Sequence, residues 1–162
     1  MASEVISSAL LMIATIIAAV ALISAVFPSV YSMAGSITST TSTVNDRMKS
    51  DIKFIYETTD QEYTLTAWLK NTGKTQLLPS SFNNTDIFYG ETNSAMARAV
   101  LNATSAPSWT FEIENDNGNG RWDPGETMKI QIVSDEKFTP GNDYKIRAVL
   151  YNGVFCEDYF TV

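Results

Sequence analysis

The residues best suited to chemistry lie in one stretch, Asn115 to Glu126, reading N-D-N-G-N-G-R-W-D-P-G-E. Against the calcium-loop template, Asn115, Asn117 and Asn119 take positions 1, 3 and 5, Gly120 position 6, Asp123 position 9 and Glu126 position 12. Oxygens on alternate residues curl around a hard cation, and glycine at the sixth place permits the sharp turn. Asn115 stands where aspartate usually opens such a loop, and the flanks read as strands, not helices. With so few carboxylates the expected affinity is that of extracellular modules, about 10⁻⁴–10⁻³ M. Calcium is the one cofactor the pattern suggests. The same composition also describes a Gly/Asn-rich connection between strands, whose residues tolerate left-handed backbone.

Other chemistry is sparse. Asn83-Asn84-Thr85 and Asn102-Ala103-Thr104 are N-glycosylation acceptors, which if used would put Asn83 and Asn102 outside the cell. Carboxylates pair at Glu112/Glu114, Asp135/Glu136 and Glu157/Asp158, and on a strand the first pair shares one side. No nucleophile or oxyanion hole accompanies them, and Ser7, Ser8 and the Ser/Thr run 36–43 have no partner base. The chain has no histidine, one cysteine (Cys156) and no Gly-rich phosphate loop. Triads and imidazole zinc sites are therefore excluded, and no enzyme is expected. A net charge of −7 argues against nucleic acid as a partner.

The elements that hold these residues fall into two unlike parts. After Glu4 the next charge is Asp46, and Val5 to Phe27 is a charge-free run of 23 residues, almost wholly Ala, Ile, Leu, Val, Met, Ser and Phe with Thr15 the only other type. About 20 suffice to cross a bilayer as a helix. The run lacks a polar face, which suits lipid or the interior of a helix bundle. Ala19-Val20-Ala21 resembles a signal-peptidase pattern, but no Lys or Arg precedes the run, so an uncleaved signal anchor is expected. The first basic residues, Arg47, Lys49 and Lys53, lie after the span, whereas the sequons point the following domain outward, which is the orientation expected. Helical from Val5 to Val44, the segment would reach about 60 Å, with a kink expected at Pro28. Ala14 and Ala18, then Ala21 and Ala25, set small residues one turn apart, as close helix packing requires. Glu4 reads either as a solvated carboxylate near a helix N-terminus or as a contact that positions subunits.

From residue 46 onward 17 of the 18 acidic and all 11 basic residues occur, giving domains at 1–45 and 46–162. Seven runs have strand character: 51–56, 63–70, 95–101, 109–113, 128–133, 144–151 and 154–162. Turn residues punctuate them at Asn71–Gly73, Gly118–Gly120, Pro140–Asn142 and Asn152-Gly153, the last predicting a type I′ hairpin. Seven or eight short strands predict a mainly β domain, an immunoglobulin-like antiparallel sandwich. Trp68 and Trp109 are expected in its core, and Cys156 as a small buried hydrophobe.

The layout of apolar helix then sandwich is similar to archaeal type IV pilin-like proteins. Residues 1–11 (MASEVISSALL) and 27–35 (FPSVYSMAG) resemble the archaellum accessory protein G family, as do Asp46–Lys53, Trp68–Gly73 and Trp122–Glu126. That resemblance implies a non-enzymatic stator component of the archaeal motility motor, anchored in the cell membrane at the archaellum base. Its sandwich would stand under the S-layer and work with the related protein F, which contacts the S-layer. The resemblance also permits a homo-oligomer, a helical string of identical subunits held by packed N-terminal helices, and Tyr159-Phe160 is a docking candidate if the last strand is an edge. The alternative is a pilin-like subunit that polymerises through its helix into a filament. Archaellins and pilins carry a basic residue and glycine before the helix, and this sequence shows no such signal there.

Overall fold

The computed structural model describes residues 2–162; Met1, which opens the first block of the resemblance, lies outside the described residues. The chain divides into one unit that ends at Thr43 and a second, Val44–Val162. Helix α1, Ala2–Lys49, runs without a break through Pro28 and Gly35. Pro28 leaves the Ser24 carbonyl without its helical donor, and its ring crowds that carbonyl. At 48 residues the helix is about 72 Å long, more than twice the roughly 30 Å of a bilayer core.

The second unit has eight strands, one more than the seven runs. They are β1 Ile52–Thr59, β2 Thr64–Asn71, β3 Asp86–Glu91, β4 Ala97–Leu101, β5 Ser108–Ile113, β6 Thr127–Val133, β7 Asp143–Val149 and β8 Phe155–Thr161. The missed strand is β3, where outward Phe88 blurs the alternation of inward Ile87 and Tyr89. The strands form a mostly antiparallel, sandwich-like sheet in the order β1-β2-β6-β5-β4-β3-β7-β8, whose edge strands β1 and β8 approach each other. One pair is parallel, β4 with β5, through Val100↔Ser108 and Leu101↔Trp109. A ladder this short fits the brief 102–107 connection, since longer parallel pairing needs a crossover of a dozen residues or more.

Alternation fills one core, including Leu65, Leu69, Ile130, Ile132, Ile146 and Trp109. Trp68 departs from its expected place. It pairs with Tyr56 on the outer face, their rings 5.5 Å apart, with Lys129 Nζ 5.9 Å from the Trp68 ring. The buried tryptophan beside Trp109 is instead Trp122, from the loop read for its oxygens. The β7–β8 turn also differs from expectation. Gly153 N–H donates to the Leu150 carbonyl at 2.8 Å, and only Gly153 takes positive φ (79°), not Asn152. That is a type I turn closed by a left-handed glycine, not type I′. Cys156 is half-buried on β8, and burial pushes its thiol up to about 12, which leaves it unreactive.

Candidate functional site

In the helical unit six Ser and Thr side chains turn back onto their own backbone. Thr38 Oγ1 donates to the Ala34 carbonyl at 3.0 Å, Thr40 to Ser36 at 2.9 Å and Thr43 to Ser39 at 3.1 Å. Ser8, Thr15 and Ser36 do the same. A hydroxyl satisfied within the helix makes little demand on its surroundings, so these residues make the polar-looking run 36–43 easier to place in lipid or among packed helices. Glu4, Ala14, Ala18, Ala21, Ala25 and Pro28 are all exposed along this helix. Among the described residues it is the one helix long and apolar enough to cross a membrane.

Three of the blocks that carry the resemblance meet in the second unit. The last helical turn leads into Asp51, whose carbonyl accepts from Thr72 N–H (3.0 Å) and Gly73 N–H (2.9 Å), while Lys74 N–H donates to the Lys49 carbonyl (2.7 Å). Buried Asn71 donates through Nδ2 to the carbonyls of Thr75 (2.9 Å) and Trp122 (3.1 Å). Its backbone pairs with Glu126 and Gly125. Arg47 Nε donates to the Asn152 carbonyl (2.8 Å), and Asn152 Nδ2 donates to Ser50 Oγ (2.8 Å). Sequence reading missed this role of Arg47 and Asn152, because the partners lie over a hundred residues apart.

The 115–126 loop closes on its own side chains. Glu126 is buried and accepts Asn117 N–H on Oε1 (3.1 Å) and Asp123 N–H on Oε2 (2.8 Å). Asn117 Oδ1 accepts Asn119 N–H, Asn119 Oδ1 accepts Arg121 N–H, and Asn115 Oδ1 accepts Thr127 N–H at 2.6 Å. The Asn117 and Asn119 amides both donate to Asp123 Oδ2 at 2.8 Å, leaving buried Asp123 Oδ1 without a partner. Thus Asn117, Asn119, Asp123 and Glu126 converge, Asn115 is drawn off to Thr127, and the side-chain oxygens a calcium ion would take are, but for Asp123 Oδ1, already accepting N–H groups. The sequons differ in setting. Asn83 is exposed on the short helix Pro79–Asn84 but its Thr85 is buried, whereas Asn102 and Thr104 are both exposed beyond β4.

The sheet edges carry the remaining features. On β8, Tyr159 is exposed with its hydroxyl donating to Glu157 Oε1 at 2.7 Å, while Phe160 stacks on Tyr144 at 5.9 Å. On β1 a bulge between Phe54 and Tyr56 turns Ile55 and Tyr56 outward and then brings Glu57 opposite buried Ala67, toward the core. Asp158, opposite buried Ile146, points inward from β8. Inward charges on edge strands are a device that discourages stray edge-to-edge pairing. Glu57 Oε1 is buried without a partner, and burial, then the Asp158 charge, push its carboxyl from 4.5 to about 7. The folded chain therefore keeps a proton that the unfolded chain has lost, so stability falls as pH rises from about 4.5 to about 7. Glu57→Gln is expected to flatten that slope and to raise the urea midpoint at pH 8. An unchanged pH profile of the midpoint would overturn this assignment.

A family model described as archaeal-type flagellin matches residues 2–160. An uncharacterised protein of Archaeoglobus fulgidus is 36% identical over 166 aligned residues, covering 99% of each chain. The archaellum periplasmic stator complex of FlaF and FlaG from Sulfolobus acidocaldarius matches at 25% identity and a TM-score of 0.57, over 67% of this chain and 87% of that one. The archaeal flagellum of Methanospirillum hungatei shares the fold at 16% identity and a TM-score of 0.67, over 97% of this chain and 92% of that one.

Proposed function

Because the chain belongs to the archaeal-type flagellin family, we propose that this structural protein of the archaellum acts as a stator-type anchor of the motor. The observation that carries the reading is the likeness of the sandwich to the FlaF–FlaG stator complex, at 25% identity against 16% for the filament. In this role α1 fixes one end in the cell membrane or in a bundle of its own copies, and the sandwich stands outside, beneath the S-layer. A FlaF-like protein is its partner and carries the contact to the S-layer. The work is mechanical. A stator must resist torque, and the sandwich answers with a single close-packed core, since protein interiors deform little under load. The Ser36, Thr38, Thr40 and Thr43 hydroxyls, folded back onto the helix, ease the entry of this stretch of α1 into an apolar setting.

The second reading is a filament subunit, favoured by a fold match to the flagellum that takes in 97% of the chain. Cell fractionation separates the two. A stator stays with the membrane fraction, co-purifies with a FlaF-like protein and is absent from sheared filaments; a filament subunit is a major component of those filaments. Ala18→Arg adds a further expectation, since an arginine at the centre of a spanning helix costs about 2.5–3.5 kcal/mol of insertion. Membrane retention and swimming should both fall in that variant. Cells that swim normally without the protein would remove it from the motor altogether.

A further inference from the structure

The end of the sandwich formed by the β1–β2, β3–β4 and β6–β7 connections is strongly acidic. The register sets these connections side by side, through Thr64↔Val133 and Glu91↔Tyr144, and Ser134 and Phe138 N–H donate to the carbonyls of Tyr63 and Glu62. Asp60, Glu62, Glu91, Asp135, Glu136 and Asp143 gather here. Two lysines oppose them, and both are engaged. Lys137 Nζ lies 2.7 Å from Glu62 Oε1, and Lys145 Nζ donates to the Thr92 carbonyl at 3.3 Å.

Within this acidic end opens a cavity of about 360 Å³, between the β3–β4 turn and the β6–β7 connection. Ligand pockets run from about 300 to 1,000 Å³, so this one suits a side chain more than a larger ligand. Its floor is aromatic. Tyr89, Phe138 and Tyr144 are buried, with ring centroids 6.2 Å and 5.2 Å apart along the row. Carboxylates reach it from two elements, Glu91 at the end of β3 and Asp135 from the β6–β7 connection. Asp135 Oδ1 accepts the Tyr89 hydroxyl at 3.2 Å, and Glu91 Oε1 accepts Asn142 Nδ2 at 2.7 Å. Each of these carboxylates retains a second oxygen, for which no bond to Asn142, Tyr89 or Tyr144 competes.

We propose that this cavity is a docking site for an arginine side chain presented by a partner protein. A planar guanidinium carries five donors in a fixed fork and so can donate to Glu91 and Asp135, which line the cavity from different elements. The surrounding carboxylates draw a basic partner surface toward this end and repel an acidic one. The site is independent of the stator reading, since a filament subunit with the same sandwich would carry it equally.

Met96 lines the cavity, whereas Met128 is buried in the core, so methyl-labelled methionine NMR of the full chain in detergent micelles reads both. The probe is an N-acetylated, C-amidated glycyl-arginyl-glycine, with the glycyl-glutaminyl-glycine analogue as control. The arginine peptide should shift the Met96 methyl saturably and leave Met128 in place. Glu91→Gln with Asp135→Asn should weaken that binding by about tenfold or more, as expected for lost charge-assisted hydrogen bonds. A Met96 signal that stays still, that moves equally with the glutamine peptide, or that responds undiminished in the double variant overturns the proposal. If the double variant displaces Met128, the native chain decides. Binding must then weaken as salt rises from about 0.05 to 0.5 M, and salt-independent binding overturns the site.

Discussion

Replacing Trp122 with alanine is expected to lower the stability of the sandwich by about 3–5 kcal/mol, the largest loss among the substitutions considered. The side chain is wholly buried, lies edge-on to Phe82 at 6.0 Å and donates Nε1–H to the Glu126 carbonyl at 3.0 Å. Its backbone exchanges both hydrogen bonds with Leu77, at 2.9 and 3.0 Å. Truncation thus opens a cavity and leaves a buried carbonyl with one donor fewer, two losses that add. Trp122→Phe keeps most of the volume and should recover part of the loss, the remainder reporting the indole hydrogen bond. Chemical unfolding of the full chain in detergent, followed by fluorescence, measures both. A loss under about 1 kcal/mol for the alanine variant would show that the loop does not lean on this residue.

Gly73→Ala comes next, at about 3 kcal/mol. A Cβ built there would lie 2.5 Å from Asp51 N and 2.6 Å from the Lys49 carbonyl oxygen, both backbone atoms. A flexible side chain could step aside, but this backbone is held by the hydrogen bonds from Thr72, Gly73 and Lys74. The added methyl therefore separates the 71–74 loop from the end of α1 and the start of β1. In a stator that junction lies on the path of the load, so swimming should fail at temperatures where the variant is still folded. Gly118→Ala is the contrast, since nothing lies within 4 Å of a Cβ there and only its φ of +92° resists the change. Equal midpoints for Gly73→Ala and the native chain would refute the steric argument.

Legibility in the sequence differed from one element to the next for identifiable reasons. The helix was plain because 41 consecutive uncharged residues admit few other readings. Strands β2, β6 and β7 were plain because apolar residues alternate strictly, giving burial at Leu65, Ala67 and Leu69 or at Met128, Ile130 and Ile132. Strand β3 and the bulge in β1 were not, since Phe88, Ile55 and Tyr56 put apolar side chains outside. Trp122 was hidden by its neighbours. A loop rich in Asn, Asp and Gly invites a reading of its oxygens, yet its one aromatic residue anchors it. Asn152 was correctly placed in a turn, but its carbonyl serves Arg47, a bond that no local pattern announces.

By itself the sequence determined the division into a charge-free helix and a β domain, the inward set of most strands, and the exclusion of histidine-based chemistry. These follow from local periodicity and composition, which act over a few residues. The tertiary structure alone decided the strand order and the approach of β1 to β8, which brings Glu57 toward Asp158. It also decided the gathering of six carboxylates at one end of the sandwich, three of which, Glu91, Asp135 and Glu136, line a cavity. Alternation says which residues share a face, but hydrogen-bonded register over long separations says which strands share an edge, and an electrostatic field is the sum over such neighbours.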